Sequence, residues 1–266
     1  PLWRNRRFRA LFDPAGLSAM AAVFAGWENT AMTDVESLKG EVKILVFDLY
    51  GTVVDMQKGL TDVATPFLKQ AGWDGSPHRF VTWWRRTHFE NSMIAALCDR
   101  GHTSYRTIGE RAVSHVMDRA GISYTAEQAA WLVSRIETLD PFDDVVNALE
   151  KLRSAGYRLV ILSNGDNDML EAAKPHIGFI FDATISVQEA GYFKPHWKTY
   201  AKAEELLGVE RQSILFVANH PFDCVGAKSF GMWSCFIDRR KQPFGHWPQA
   251  PDLTVENFKQ LAKFFV

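Results

Sequence analysis

The stretch VFDLYGTVVD, residues 46–55, joins the end of a mostly apolar segment, residues 42–47, to a turn that contains Gly51. The segment is predicted to be a buried strand, and Asp48 follows it directly. Open α/β folds bind ligands at the carboxyl edge of a parallel sheet, which is where the residue after a strand lies. Asp48 is therefore a candidate functional carboxylate, and the alternative is that it caps a turn or a helix.

Strand and helix patterns alternate from Pro141 onward. The predicted strands are residues 157–162, 183–187, 213–217 and 233–237, and the predicted helices are residues 143–155, 168–175 and 224–230, with a further helix that ends at Leu207. Alternating units of this length predict an α/β fold, in which helices cover both faces of a doubly wound, Rossmann-like parallel sheet.

Residues 60–139 show helical spacing and no strand pattern. In one segment the side chains that recur three and four residues apart are Phe80, Trp83, Trp84, Thr87, Asn91 and Ile94. Such stripes are typical of core packing, so we expect about four helices that form a bundle of their own. The predicted division is a helical cap domain over residues 57–140, inserted into a core of residues 41–56 and 141–266.

The first forty residues carry a cluster of arginines between Arg4 and Arg9, followed by an Ala-rich apolar stretch over residues 17–27. This outline is typical of a targeting peptide. Met32, however, opens a natural lead into the first strand. We interpret residues 1–40 as an N-terminal extension that is not part of the fold, and a targeting peptide is the alternative.

Composition limits the partners of this 266-residue chain. Its 30 basic and 31 acidic residues give a formal net charge of -1, so no general field favours nucleic acid or an anionic membrane. The three cysteines are an odd number without CxxC spacing, which argues against a disulfide framework or a zinc site. Free thiols and the lack of an apolar run long enough to span a bilayer predict a cytoplasmic protein without membrane or nucleic-acid partners.

Polar residues follow several predicted strands and should converge at one edge of the sheet. They are Asp48, Ser163, Asn164, Lys194, Asn219, His220 and Asp223. Each has a structural alternative, as a helix cap, a surface charge or a hydrogen-bonded turn residue. Their joint position predicts a functional site.

Four segments carry a family resemblance: FDLYGT at 47–52, LSNG at 162–165, YFKP at 192–195 with Tyr200, and FVANHPFDCVGAK at 216–228. Together they resemble the haloacid dehalogenase-like superfamily, and within it the L-2-haloacid dehalogenase branch. The resemblance spans residues 42–266 and identifies the helical insertion with the cap of that family. It implies cofactor-independent and metal-independent hydrolysis of short 2-haloalkanoates, haloacetates included, to 2-hydroxyalkanoates. The S (L) enantiomer and a homodimer are further expectations of the resemblance.

Tyr50 supports this branch over a phosphatase. Phosphatases of the superfamily carry a second Asp two residues after the nucleophile, to protonate the leaving alcohol. They also need magnesium, usually held by paired acids in the last motif, where this chain has only Asp223. A departing halide needs neither. A magnesium-dependent phosphatase and an inactive binding relative remain the alternatives.

The resemblance also assigns roles to individual residues. Asp48 would attack C2 and form an ester that water, the second reactant, hydrolyses. Thr52, Ser163, Lys194 and Tyr200 would position the nucleophile together with Asp223, and the turn at Leu49 and Tyr50 would hold the substrate carboxylate. In TWWRRTHFENSM, residues 82–93, Arg85 matches the family's halide-binding arginine, whereas Arg86 would point elsewhere. Asn164, Tyr105 and Phe222 resemble the rest of the halide site, and Asn219 is a further substrate contact. A surface ion pair is the alternative role for Arg85.

The last motif departs from the family pattern. The best-known members have Ser and Asn where this chain has Ala218, Asn219 and His220. A histidine can act as a general base, so we predict that His220 activates the hydrolytic water. Asp62, at the start of the insertion, is predicted to orient the imidazole.

Overall fold

The computed structural model describes residues 37–99 and 101–266. Residues 42–266 form one compact unit, which contains the sheet and the helices around it. Most of the predicted N-terminal extension lies outside the described residues.

Six parallel strands form a single sheet in the order β3-β2-β1-β4-β5-β6. The strands are β1 (Ile44–Phe47), β2 (Arg158–Ser163), β3 (Ala183–Ser186), β4 (Ile214–Ala218), β5 (Trp233–Ile237) and β6 (Leu253–Val255). This order is that of a doubly wound sheet, whose direction of winding reverses between β1 and β4. The predicted fold class is confirmed. The five predicted strands shift by no more than two residues at either end, and β6 was not predicted.

Helices cover both faces of the sheet because successive strand residues point to opposite sides. Val46 belongs to an apolar cluster with Tyr200 and Ala227, whereas the ring of Phe47 stacks 5.5 Å from that of Phe258. The core helices are α5 (Val146–Ser154), α6 (Asn167–Ile177), α7 (Trp197–Leu207), α8 (Pro221–Phe230) and α9 (Phe258–Phe265). The sequence patterns predicted all of these except α9.

Four helices fill the insertion between β1 and α5: α1 (Met56–Gln70), α2 (Pro77–Cys98), α3 (Tyr105–Arg119) and α4 (Ala126–Ser134). A side chain caps the first turn of each, from Asp55, Ser76, Ser104 and Thr125 in that order. These caps satisfy amide groups that have no partner within the helix. The four-helix insertion is confirmed, while the domain limits at residues 57 and 140 stay predictions.

One detail of the predicted packing in α2 is wrong. Phe80, Trp84 and His88 are buried, four residues apart, whereas Trp83 is 52% exposed and Ile94 is 57% exposed. Residues 83 and 94 are 11 apart, or about three turns, so they share a face that is rotated away from the buried stripe. The Arg119 guanidinium covers the Trp83 ring at 5.2 Å.

Candidate active site

The nucleophile turn begins where β1 ends. Asp48 follows Phe47 and is anchored to β4 by a bond from its amide to the carbonyl oxygen of Val217. Gly51 has φ of 87°, in the left-handed region, and a Cβ there would lie 2.9 Å from Nη2 of Arg85. The turn therefore needs glycine both for its backbone conformation and for the approach of the cap arginine.

The Asp48 carboxylate is buried and accepts bonds at both oxygens. Lys194 Nζ donates to Oδ1 at 2.9 Å, and Thr52 Oγ1 donates to Oδ2 at 2.6 Å. Burial acts to raise the pKa of Asp48, but the Lys194 ammonium, helped by His220 and Thr52, outweighs it and holds this pKa below its ordinary value. Asp48 is therefore ionised at neutral pH.

Lys194 uses all three of its ammonium donors. Besides Asp48, its Nζ donates to the carbonyl oxygen of Leu162 at 3.0 Å and to Asp223 Oδ2 at 2.7 Å. Burial lowers the pKa of Lys194, but the two carboxylates together raise it above its ordinary value. Burial and the neighbouring Asp48 raise the pKa of Asp223, so Asp223 takes up a proton before Asp48 as the pH falls. Tyr200 OH donates to the other oxygen of Asp223 at 2.8 Å.

A second network joins the nucleophile turn to the end of β4. Thr52 Oγ1 accepts from the amide of Asn219 at 2.9 Å, and Asn219 Nδ2 donates to the carbonyl oxygen of Gly51 at 2.9 Å. His220 Nδ1 lies 3.3 Å from Asp48 Oδ2. Because β1 and β4 are neighbours in the sheet, residues 167 or more positions apart in sequence meet here.

The prediction for Asp62 is wrong. Its carboxylate accepts from Lys58 on the outside of α1 at 2.7 Å, and its side chain is 61% exposed. Leu60 and Ala64 are the buried residues on either side, and Asp62 lies about 200° around the helix from Leu60. The acid within reach of His220 is Asp48 itself.

The cap contributes a cation and aromatic rings to the site. Arg85 Nη1 donates to Oε1 of Gln57 at 3.0 Å, and burial, followed by the neighbouring Arg240, lowers the pKa of Arg85. The Tyr105 ring stacks on that of Tyr50, with centroids 5.7 Å apart. Arg86 was predicted to point elsewhere, but it also lines the cavity, where its exposed guanidinium pairs with Glu90 at 2.9 Å.

Asp166 links the core to the cap. This residue follows the LSNG segment, and its two carboxylate oxygens accept from the amides of Tyr105 and Arg106 at 2.8 and 2.9 Å. Burial acts to raise the pKa of Asp166, but the nearby His102 ring and the bonds from the two amides lower it overall. The carboxylate thus caps α3 from the core and fixes the position of Tyr105.

A cavity of about 910 Å³ lies above these groups. The predicted site residues that line it are Asp48, Tyr50, Arg85, Tyr105, Asn164, Asn219, His220 and Phe222. Thr52, Lys194, Tyr200 and Asp223 lie behind this surface and act on Asp48 directly or through one another.

Two predicted residues take other places. The Ser163 hydroxyl accepts from the amide of Gly165 at 3.2 Å, so its bond stays within its own turn. The Leu49 side chain lines a second cavity of about 210 Å³ with Ile161 and Phe181, so only its backbone could serve a substrate.

Sequence reasoning missed several residues around the cavity. In the cap, Gln57 bonds to Arg85, and Phe89 packs on Phe222. In the core, the missed residues are Asp166 and, after β5, Arg239 and Arg240. The two arginines could have been found as Asp48 was, because they are polar residues that closely follow the carboxyl end of a strand in the same parallel sheet. Gln57 and Phe89 have no such signal, because their positions depend on how the cap helices pack.

The described residues hold no group of three or more His, Cys, Asp or Glu side chains that could bind a metal ion. In the same part of the chain, no helix is long and apolar enough to cross a membrane.

Comparison with known proteins matches residues 42–231 to the family model of haloacid dehalogenase-like hydrolases. The chain is 30% identical to an (S)-2-haloacid dehalogenase of Pseudomonas sp. (strain YL), over 84% of this chain and 94% of that protein. It is 31% identical to haloacetate dehalogenase H-2 of Moraxella sp. (strain B), over 81% of this chain and 94% of that protein. A solved L-2-haloacid dehalogenase of Xanthobacter autotrophicus, with chloropropionic acid covalently bound, superposes with a TM-score of 0.76 at 29% identity, over 84% of this chain and 97% of that one.

Proposed function

Because this chain belongs to the haloacid dehalogenase-like hydrolase family, we propose that it hydrolyses the carbon–halogen bond of short 2-haloalkanoates. The products are the 2-hydroxyalkanoate and halide. The activities named for its relatives support this substrate class, with haloacetates and the S enantiomer included. The observation that carries the proposal is that Asp48 is buried and ionised. The residue two positions later, where a phosphatase has its second Asp, is Tyr50.

In the first step, an Asp48 oxygen attacks C2 from the side opposite the halogen. A carbon–oxygen bond forms while the carbon–halogen bond breaks, and the halide leaves with the bonding electron pair. Arg85 lines the cap side of the cavity, and we expect its guanidinium to receive this charge. Lys194 and Thr52 hold the carboxylate in one orientation, which can supply much of the roughly 7 to 11 kcal/mol that proximity contributes to such reactions.

In the second step, water attacks Cγ of the Asp48 ester, and His220 accepts the water proton. The bond between Cγ and the ester oxygen then breaks, His220 returns its proton to the departing oxygen, and the hydroxy acid leaves with an oxygen that began on Asp48. Lys194 Nζ stabilises the oxyanion that forms on Cγ. The 3.3 Å separation of His220 Nδ1 from Asp48 Oδ2 supports this role for the histidine.

Tyr50 argues against the phosphatase alternative. Burial raises the pKa of its phenol well above the ordinary value, so Tyr50 cannot alternate between acid and base as the second aspartate of a phosphatase does. The other alternative, an inactive binding relative, predicts an intact site without turnover.

Halide release from 2-chloropropionate in magnesium-free buffer tests the proposal. We expect turnover that Asp48→Asn abolishes, while Asp62→Asn, the same change at an exposed position, leaves it within twofold. Release of phosphate from phosphate esters only when magnesium is added would favour the phosphatase. Inactivity on both substrate classes would favour the binding relative.

The role of His220 needs its own experiment. Because the histidine acts after the ester has formed, His220→Asn should accumulate the ester, which intact-protein mass spectrometry detects as added mass after incubation with substrate. Turnover at the wild-type rate without accumulation would remove His220 from the mechanism.

Two further expectations belong to the proposal. We propose that the protein works in the cytoplasm, since Cys98, Cys224 and Cys235 are all free thiols.

We also propose a homodimer, which rests on the family resemblance alone. Light scattering coupled to size exclusion tests the dimer, and a mass near the 30.1 kDa of one chain would contradict it.

A further inference from the structure

The cavity is much larger than a haloacetate or 2-chloropropionate. Its volume is about 910 Å³, whereas an engineered protein cavity of about 150 Å³ holds benzene, which has six non-hydrogen atoms. 2-Chloropropionate also has six. The cavity therefore has room for a substantial group beyond C2 of the substrate.

The extra space follows the carboxyl edge of the sheet. Lining residues come from the end of β2 (Asn164), β1 (Asp48), β4 (Asn219) and, three residues past its end, β5 (Arg240). Neighbouring strands lie about 4.8 Å apart, so β5 is roughly 10 Å from β1. The Arg240 guanidinium reaches back toward β4, where Nη2 donates to the carbonyl oxygen of Asn219 at 3.3 Å. The guanidinium is therefore anchored beside β4, the strand next to the one that Asp48 follows.

Two adjacent arginines after β5 differ in how they are held. Arg239 Nε donates to the carbonyl oxygen of Thr52 at 2.9 Å, Nη1 donates to Asp144 at 3.0 Å, and the guanidinium stacks 3.7 Å from the centre of the Phe142 ring. Arg240 is exposed, and among the residues that the structure describes it makes one hydrogen bond, the one to Asn219. Arg239 is thus fixed in the wall, whereas Arg240 can contact a ligand.

The carboxylates around the cavity are already engaged. Asp48 is bonded to Lys194, Glu90 pairs with Arg86, and Asp55 accepts from the amide of Lys58 as a helix cap. Across residues 37–99 and 101–266, Arg240 has no carboxylate partner. A cation at the edge of a large cavity, without an internal counter-ion, is placed to bind an anionic group of a ligand.

We propose that Arg240 forms a second anion-binding subsite, so that the enzyme accepts 2-haloacids whose C2 substituent ends in another carboxylate. This inference rests on the proposed function, because the first carboxylate and C2 must occupy the site at Asp48. The class of substrate is the 2-halodicarboxylic acids with a short methylene chain between their two carboxylates.

Binding of an unreactive diacid tests the subsite without any turnover. Calorimetry at low ionic strength compares hexanedioate with its monomethyl ester, which has similar shape and a single charge. We expect the wild-type protein to bind hexanedioate roughly threefold more tightly than the ester, the size expected for a partly exposed charge pair. Arg240→Met and Arg240→Gln should both lose this preference, and Arg86→Gln, which removes a paired cation from the same cavity, should keep it.

Equal binding of the two ligands by the wild-type protein, or a preference that survives in both Arg240 variants, would overturn the subsite. Bromoacetate turnover by the same wild-type preparation reports separately on the proposed function, because bromoacetate has no second carboxylate. If bromoacetate is hydrolysed, the ratio of kcat/KM for 2-bromohexanedioate to that for its C6 monomethyl ester should fall in Arg240→Met by the same factor as the binding preference.

Discussion

The two walls of the active-site cavity are built differently. The core wall presents Asp48, which is supported from behind by Thr52, Lys194 and Asp223. This network is almost fully hydrogen-bonded, and its ammonium group uses every donor. The cap wall, formed by Arg85, Phe89 and Tyr105 on α2 and α3, presents rings and a guanidinium held by one neutral partner, Gln57. The core wall is preorganised before substrate arrives, while the cap wall keeps donors for groups that arrive with the substrate.

This difference matches the chemistry proposed for each wall. A nucleophile gains from being held in one orientation, because reorganisation during the reaction then costs little. A leaving halide gains from a cation that has no competing internal anion, because burial strengthens the attraction between them. Substitutions in the core wall and in the cap wall should therefore differ in how strongly they change turnover and stability.

Lys194→Met should have the largest effect, because it leaves two carboxylates buried without their shared cation. We expect kcat to fall roughly 1000-fold and the free energy of unfolding to fall by about 3 to 5 kcal/mol. Steady-state halide release and urea denaturation measure the two quantities. Lys198→Met, on the exposed side of α7, is the control, and a similar loss there would contradict the account.

His88 makes the stability of the cap wall depend on pH. Burial lowers the pKa of this histidine to about 4, and its Nε2 donates to the carbonyl oxygen of Tyr105 at 3.0 Å. Between pH 6.5 and 4 the unfolded chain binds a proton that the folded chain excludes, so stability is lost as the pH falls through this window. The expected loss is about 3 kcal/mol. Urea denaturation at several pH values should show a flatter profile for His88→Gln, whereas His115→Gln, at an exposed position on α3, should keep the wild-type profile.

Arg85→Gln should mainly affect turnover, because the role proposed for the guanidinium is to bind the departing halide. We expect kcat/KM for 2-chloropropionate to fall about 100-fold, equivalent to about 2.7 kcal/mol. Arg86→Gln removes the same charge one residue away and should change kcat/KM less than twofold. Equal effects of the two substitutions would mean that Arg85 contributes only to the general field.

Asp166→Asn should have the smallest effect, since it weakens the link between core and cap without removing a side chain that lines the cavity. An amide offers one acceptor where the carboxylate offers two, so one of the two α3 amides loses its bond. We expect a loss of about 1 to 2 kcal/mol in unfolding free energy, and a roughly threefold rise in KM as Tyr105 shifts. Asp168→Asn, which also contacts Arg106 but lies on the surface, should not raise KM.

The sequence predicted the core wall far better than the cap wall. Asp48, Asn219 and Lys194 were found because parallel strands bring their carboxyl ends to one edge, which depends only on topology. The role predicted for Asp62 is wrong because it depended on which side of α1 faces the core. The buried residues Leu60 and Ala64 decide that side. Gln57 and Phe89 carry no local signal, since their positions depend on how the cap helices pack, which a single sequence does not encode as a short motif.

The proposed mechanism requires that Asp48 forms an ester, which water cleaves at Cγ. Single turnover in water enriched in ¹⁸O, with the enzyme in excess over 2-chloropropionate, tests it most directly by mass spectrometry of both the product and the peptide that contains Asp48. The account predicts an unlabelled hydroxy acid and one ¹⁸O atom in the Asp48 carboxylate. Label in the product, with none in the peptide, would contradict it, because water would then have attacked C2 directly.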